Sequence, residues 1–141
     1  MAGFNTGIGS TIHWVEGWDK TKDQITKEIT NVITMSGLDF SLDVLKETLL
    51  KTGADVSCAG KLNFSDIEVQ TVHEAGNKDF ASLQALALAK TGVTLLANFE
   101  GVATVLANAT IIKATPTVES GAITKVSYTF TVSGIPAFDY V

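Results

Sequence analysis

Polar and apolar residues alternate through residues 123–132, with Val126, Tyr128, Phe130 and Val132 on one side and Lys125, Ser127, Thr129 and Thr131 on the other. A strict period of two marks a strand with one buried face. Val93, Leu95, Ala97 and Phe99 repeat the pattern, Glu100 and Gly101 supply a two-residue turn with glycine where a positive φ is useful, and Val102, Thr104 and Leu106 continue it. This stretch predicts a β-hairpin whose second arm runs on toward Ile111 and Ile112 and ends at Thr115 and Pro116. The polar turn Glu119, Ser120 and Gly121 leads into the final strand.

Upstream, Leu62 and Phe64 have one parity and Ile67 and Val69 the other, so a strand over residues 61–73 must slip by one residue, and a β-bulge at Ser65 and Asp66 accounts for it. Ile12, Trp14 and Glu16 predict a short first strand after a glycine-bearing, flexible arm over residues 1–11. One helix is expected over residues 77–90, with Asn77 as cap, Asp79 in the first turn, Phe80, Leu83, Leu86 and Ala87 on one face, and Lys90 and Gly92 closing it. Ile25, Ile29, Val32 and Ile33 have helical spacing, yet the threonines and β-branched residues around them favour a strand over residues 29–35. Residues 41–51 are either a short helix or an extended arm. Either way Leu42, Val44, Leu45, Leu49 and Leu50 sit in a long insertion, residues 39–58, between two core strands, and such a cluster needs cover. The pattern amounts to a mainly β fold, a β-sandwich or barrel of about six or seven strands with one flanking α-helix.

Composition narrows what such a fold does. At 141 residues the chain is read as one domain, 1–141, and with 45% hydrophobic and 18% charged residues it is too apolar for disorder. The net charge of -5 arises from fifteen acids against ten lysines, with no arginine. Tight nucleic-acid binding is disfavoured, because it needs cationic surface and arginine is its usual reader. Like charge on a channel wall would instead keep a polyanion from sticking. Cys58 is the only cysteine, which excludes an intramolecular disulfide and a cysteine-rich metal site. The first ten residues hold no basic stretch before an apolar run, so no secretion leader is expected, and no apolar stretch approaches the roughly 20 residues of a membrane span.

Candidate chemistry is sparse. His13 and His73 lie in strand patterns without metal-ligand partners at a recognisable spacing. Cys58 with His73 could form a nucleophile and base, but Asp55 and Asp66 make the setting electronegative, which opposes thiolate formation. Gly3, Gly7 and Gly9 follow no strand and lack a phosphate-loop context, and the acids Asp19, Asp23, Glu28, Asp39, Asp43 and Glu47 are spread as a solvated surface would be. No cofactor, metal or catalytic residue is expected.

In order, the chain presents a strand into Ile33-Thr-Met-Ser-Gly-Leu-Asp-Phe, the insertion, then Ala59-Gly-Lys-Leu-Asn-Phe with its slipped strand. The helix, the hairpin at Glu100 and Gly101, and a closing Lys125-Val-Ser-Tyr-Thr-Phe-Thr-Val-Ser-Gly-Ile-Pro follow. This order resembles the tail tube proteins of long, non-contractile phage tails over nearly the whole chain, above all in the Gly-x-Leu/Val-x-Phe strand and the Val132 to Pro136 ending. The resemblance implies a β-sandwich with a flanking helix that assembles into hexameric rings, whose inner strands join into one β-barrel. The rings stack into the tube through which DNA passes to the host without specific binding. Contractile tail tubes and bacterial secretion tubes share that fold, as do tail-terminator and baseplate proteins. It also implies location in the virion tail after assembly in the host cytoplasm. The partners are other copies of the chain, with tape-measure, terminator and baseplate proteins, and no membrane. Leu42, Val44, Leu45, Leu49 and Leu50 would then be inter-subunit contacts. Two other readings stand beside this one: a small-ligand-binding β-barrel with a cavity lined by Phe64, Tyr128 and Phe130, and a hydrolase using Cys58 or the scattered carboxylates.

Overall fold

The computed structural model describes residues 8–140. Among them the chain forms β1 (Thr11–Glu16), β2 (Lys27–Glu28), β3 (Val32–Ser36), β4 (Phe40–Thr48), β5 (Asp55–Phe64), β6 (Ile67–Val72), α1 (Asp79–Leu88), β7 (Gly92–Phe99), β8 (Ala103–Thr117) and β9 (Lys125–Tyr140). Seven strands pair antiparallel in the order β2-β1-β7-β8-β9-β6-β3, and β4 and β5 pair only with each other. The large sheet accounts for the expected six or seven strands, and the separate β4–β5 hairpin adds two.

The alternation read from the sequence decides which face of the sheet is buried. Ile12, Trp14, Val69, Val93, Leu95, Val105, Ile111, Val126, Tyr128 and Phe130 form one core with Leu83 of α1. A single sheet can bury one face around so few helical residues only by curling over it. β8 and β9 bend at two register shifts: Ile112 is an extra residue of β8, and Ala107 faces the three residues Gly134, Ile135 and Pro136 of β9. Phe80, Leu86 and Ala87 pack against the core around Leu83, as the helical spacing requires.

The helix is shorter than residues 77–90 and is anchored by its first turn. Asn77 Oδ1 accepts the Asp79 backbone N–H at 2.8 Å, while the Asp79 carboxylate accepts the backbone N–H and hydroxyl of Thr30 at 3.0 and 3.1 Å. These bonds tie the start of α1 to the β2–β3 connection. Lys90, at φ 58, takes the left-handed position past the helix end that Gly92 was expected to serve. Gly92 instead opens β7.

Four other expectations change. The strand over 29–35 starts only at Val32, as β3, because Ile29 turns into the core and donates its N–H to Ile12 O at 3.0 Å, and Asn31 reverses the chain at φ 58. Residues 61–73 are not one bulged strand: β5 and β6 belong to different sheets, and Ser65 and Asp66 are the crossing between them. The hairpin turn takes three residues, since Phe99 pairs with Ala103, so the parity flips and Ala103, Val105, Ala107, Ala109 and Ile111 are buried in place of Val102, Thr104 and Leu106. The last strand starts at Lys125 and runs to Tyr140, which makes Val132 to Pro136 a bulged mid-strand rather than an ending. Of the two readings of residues 41–51 the extended arm is the one found: β4 runs to Thr48, and residues 50 and 51 belong to the turn that follows. Of the expected N-terminal arm, residues 1–7 lie outside the described residues and Thr11 already belongs to β1.

Candidate functional site

The chain leaves the large sheet after β3 and returns at β6, and the two crossing points are clamped together. Asp39 N–H donates to Ser65 Oγ and Ser65 N–H to Asp39 O, each at 2.8 Å. Gly37, at φ 127, lies so close to the Asp66 backbone that a Cβ there would overlap it, which accounts for the glycine in Met-Ser-Gly-Leu-Asp-Phe. From this clamp β4 and β5 project as a hairpin arm. Its nine-residue first strand spans about 30 Å, at about 3.4 Å per residue. Near the base, the Phe64 ring lies 6.2 Å from Phe138, which stacks on Tyr140 at 5.8 Å.

All five residues singled out from the sequence are on this arm and exposed: Leu42, Val44 (65%), Leu45 (57%) and Leu49, with Leu50 fully exposed at the tip. The structure adds Val56 and Leu62 from β5, also exposed. Sequence reasoning placed Leu62 in a core strand over residues 61–73, and Val56 lay inside the expected insertion without being singled out. The alternation Asp55, Val56, Ser57, Cys58 was the available signal.

The register sorts these side chains. Leu42 faces Leu62 and Val44 faces Ala59, so Gly60 and Lys61 together oppose Asp43 in a bulge. As far as the pair Val44 and Ala59, just past the bulge, Leu42, Val44, Ala59 and Leu62 share one face, while the other holds Ser41, Asp43 and Asn63, with Asn63 Nδ2 donating to Asp43 Oδ1 at 3.2 Å. Beyond that pair the faces exchange character. Leu45, Val56 and Cys58 lie on the second face together with Glu47, and Lys46, Thr48, Asp55 and Ser57 on the first, where Thr48 Oγ1 donates to Asp55 Oδ1 at 2.6 Å.

Two regions of the large sheet's other face differ from the arm. Residues 17–20 strap across β7 and β8: the Trp18 indole N–H donates to Ala109 O at 3.0 Å, Asn108 Nδ2 to Asp19 Oδ1 at 3.0 Å, and Thr94 Oγ1 to Gly17 O at 2.7 Å. A Cβ at Gly92 would overlap the Trp18 indole. Farther along the sheet, Thr34, Ser36, Glu68, Gln70, Lys113, Thr115, Ser127 and Thr129 line an open, polar trough of ≈ 430 Å³ with one acid and one lysine.

The ligand cavity expected from Phe64, Tyr128 and Phe130 is not formed. Tyr128 and Phe130 fill the core, while Phe64 belongs to the other sheet and packs on Phe138. Burial pushes the Tyr128 hydroxyl up to about 12, the Asp79 carboxylate adds to this, and a hydrogen bond with Thr71 opposes it. Cys58 is exposed on the arm opposite Leu45, and His73 sits beyond β6 with its N–H on Thr124 O. Among the described residues no group of three His, Cys, Asp or Glu could hold a metal ion, and no helix is long and apolar enough to cross a membrane.

No family model matches this chain, and no curated protein matches its sequence. Solved structures do match its fold. A chain of the virion of a native gene transfer agent particle superposes with TM-score 0.71 at 12% identity, covering 96% of this chain and 99% of that one. A chain from the sheath/tube terminator of an extracellular contractile injection system in its extended state gives 0.69 at 14% identity, covering 99% of each. A chain in the tail of an empty gene transfer agent particle, of C6 symmetry, gives 0.68 at 13% identity, covering 92% and 94%. The chain thus has a tail-tube-like fold, mainly β with a curled seven-stranded sheet and one helix.

Proposed function

We propose that this chain is a structural virion protein, the subunit of a phage tail tube, a single domain that self-assembles into stacked hexameric rings through which DNA passes into the host. The observation that carries this reading is the extent of the shared fold. It takes in almost the full length of this chain and of chains in phage-like particles. The C6 symmetry of one such tail supports the hexamer. The exposed apolar arm suits stacking, since contiguous exposed apolar surface of this kind marks association sites.

In this reading the polar trough belongs to the lumen wall. Its hydroxyls and amide hold water, and with one lysine it offers a passing polyanion little to bind. The protein works without catalysis or cofactor, alongside tape-measure, terminator and baseplate proteins in the virion tail, after assembly in the host cytoplasm. The sequence resemblance supports tails of the long, non-contractile kind.

Negative-stain electron microscopy with mass determination, on the purified chain across a concentration series, tests the proposal. Rings or tubes with a central channel support it. A monomer throughout, even with tail fragments added as initiators, overturns it. A second reading, a tube terminator, is favoured by the match to the terminator of a contractile injection system. It predicts single rings that do not stack.

A further inference from the structure

The β4–β5 arm carries its apolar residues on one face near the body and on the opposite face toward the tip, with the change between the pairs Val44–Ala59 and Leu45–Cys58, one pair beyond the Gly60 bulge. A ribbon meant to lie on one surface would keep one apolar face throughout, because side chains alternate strictly along each strand. A ribbon whose apolar face switches is built to meet two surfaces on opposite sides. From this we infer that the basal face closes toward the arm's own body, and that the outer face, where Leu45, Val56 and Cys58 stand with Glu47, docks on a second copy of the chain. The inference rests on the tube reading and assigns the faces within it.

Three observations favour this division. At the base, Phe64 of the first face already meets Phe138 of the body, while Leu42 and Val44 above it are still exposed in the single chain. Each polar face carries a side-chain hydrogen bond within the arm, Asn63 on Asp43 at the base and Thr48 on Asp55 farther out, as faces left in water can. Leu45 lies over Gly60, where an added Cβ would come within 3.1 Å of its Cγ, so the bulge glycine gives the first outer-face side chain its place.

Charge and topology select a second copy as the occupant. Residues 40–64 contain three acids, Asp43, Glu47 and Asp55, and three lysines, Lys46, Lys51 and Lys61, so the arm is neutral. The other twelve acids and seven lysines carry the whole net charge of -5. A neutral arm approaches an acidic body of its own kind without repulsion, whereas a polyanionic or strongly cationic partner would find no complementary field on it. The base of the arm sits beside Phe138, near one end of the β8–β9 ribbon. Val118 and Ile123 are exposed at the turn closing its other end. An apolar projection at one end and apolar residues at the other suit a head-to-tail contact that repeats from copy to copy.

Cys58 is the chain's only cysteine and stands on the proposed docking face, so the native protein carries its own reporter. Unassembled chain and tubes are treated with iodoacetamide, and alkylation is followed by mass spectrometry. A second chain, with Cys58→Ser and Ser57→Cys, moves the thiol to the wet face, and Lys46→Cys on the same Cys58→Ser background serves if that chain does not assemble. Assembly is expected to slow alkylation of Cys58 by about tenfold or more, while a thiol at position 57 or 46 reacts at the same rate in both states. Tubes in which Cys58 stays fully reactive, or in which the wet-face thiol is equally protected, overturn the face assignment alone. Failure of every chain to assemble under any condition overturns the tube reading and the inference together.

Discussion

Replacing Leu45 by aspartate separates the arm's role in assembly from any role in folding. Leu45 is 57% exposed in the single chain, opposite Cys58 and over Gly60. Little burial is lost when it is changed, so folding stability should fall by no more than about 1 kcal/mol, a melting shift of about 3 °C. In the tube the remaining half of the side chain is covered, which is worth about 1 kcal/mol against about 1.5–3 for a whole leucine. A carboxylate carried into the same contact without a partner costs several kcal/mol more, and Glu47 on the same face adds repulsion. The total is about 4 kcal/mol per copy, and the six copies per ring junction of the proposed hexamer bring it to about 24 kcal/mol, enough to stop stacking. Thermal unfolding of the monomer and the length distribution of tubes by electron microscopy read the two effects separately. The expected result is a near-native melt with single rings or no assembly, while Lys46→Asp on the wet face leaves tube length unchanged. Leu45→Asp tubes of normal length would refute the reasoning, and so would a collapse of the fold.

The strap over β7 makes Gly92→Ala a test of the body: the methyl group displaces Trp18 and the indole bond to Ala109. A loss of about 2–4 kcal/mol is expected in urea unfolding, smaller than additive when combined with Trp18→Ala; a change under about 0.5 kcal/mol would contradict the packing. Tyr128 predicts a pH dependence. Its hydroxyl ionises near 10 when unfolded and about 12 when folded, so its contribution is intact below pH 10. It is lost as pH rises toward 12, by about 2–3 kcal/mol; Tyr128→Phe should lack this part of the alkaline slope, and identical slopes would count against it. Because Tyr128 and Phe130 are packed in the core, small apolar ligands should leave the melting temperature unchanged. A saturable upward shift of several degrees would restore the ligand-binding reading.

Much of the fold is legible in the chain because strands and helices are set by local periodicity. The alternation around Ile12, Val93 and Val126 and the helical spacing of Phe80, Leu83, Leu86 and Ala87 appear as β1, β7, β9 and α1. The exposed apolar cluster was legible too, since Leu42, Val44, Leu45, Leu49 and Leu50 form a run that no neighbouring core pattern absorbs. The adjacent pair Val44 and Leu45 even records the change of face, as apolar residues of opposite parity.

What the sequence alone determined about this protein is therefore its mainly β class, its core-facing alternation and an apolar insertion needing cover. The tertiary structure decided the rest. It placed Lys61 and Val69 in separate sheets, shifted the buried parity of β8 by one residue, and brought Gly92 under Trp18 and Asp79 onto Thr30. Such features join positions tens of residues apart, and a pattern with a period of two or 3.6 residues holds no record of which distant strand supplies the partner. Register, bulge and close approach are settled only when the curled sheet closes over its core.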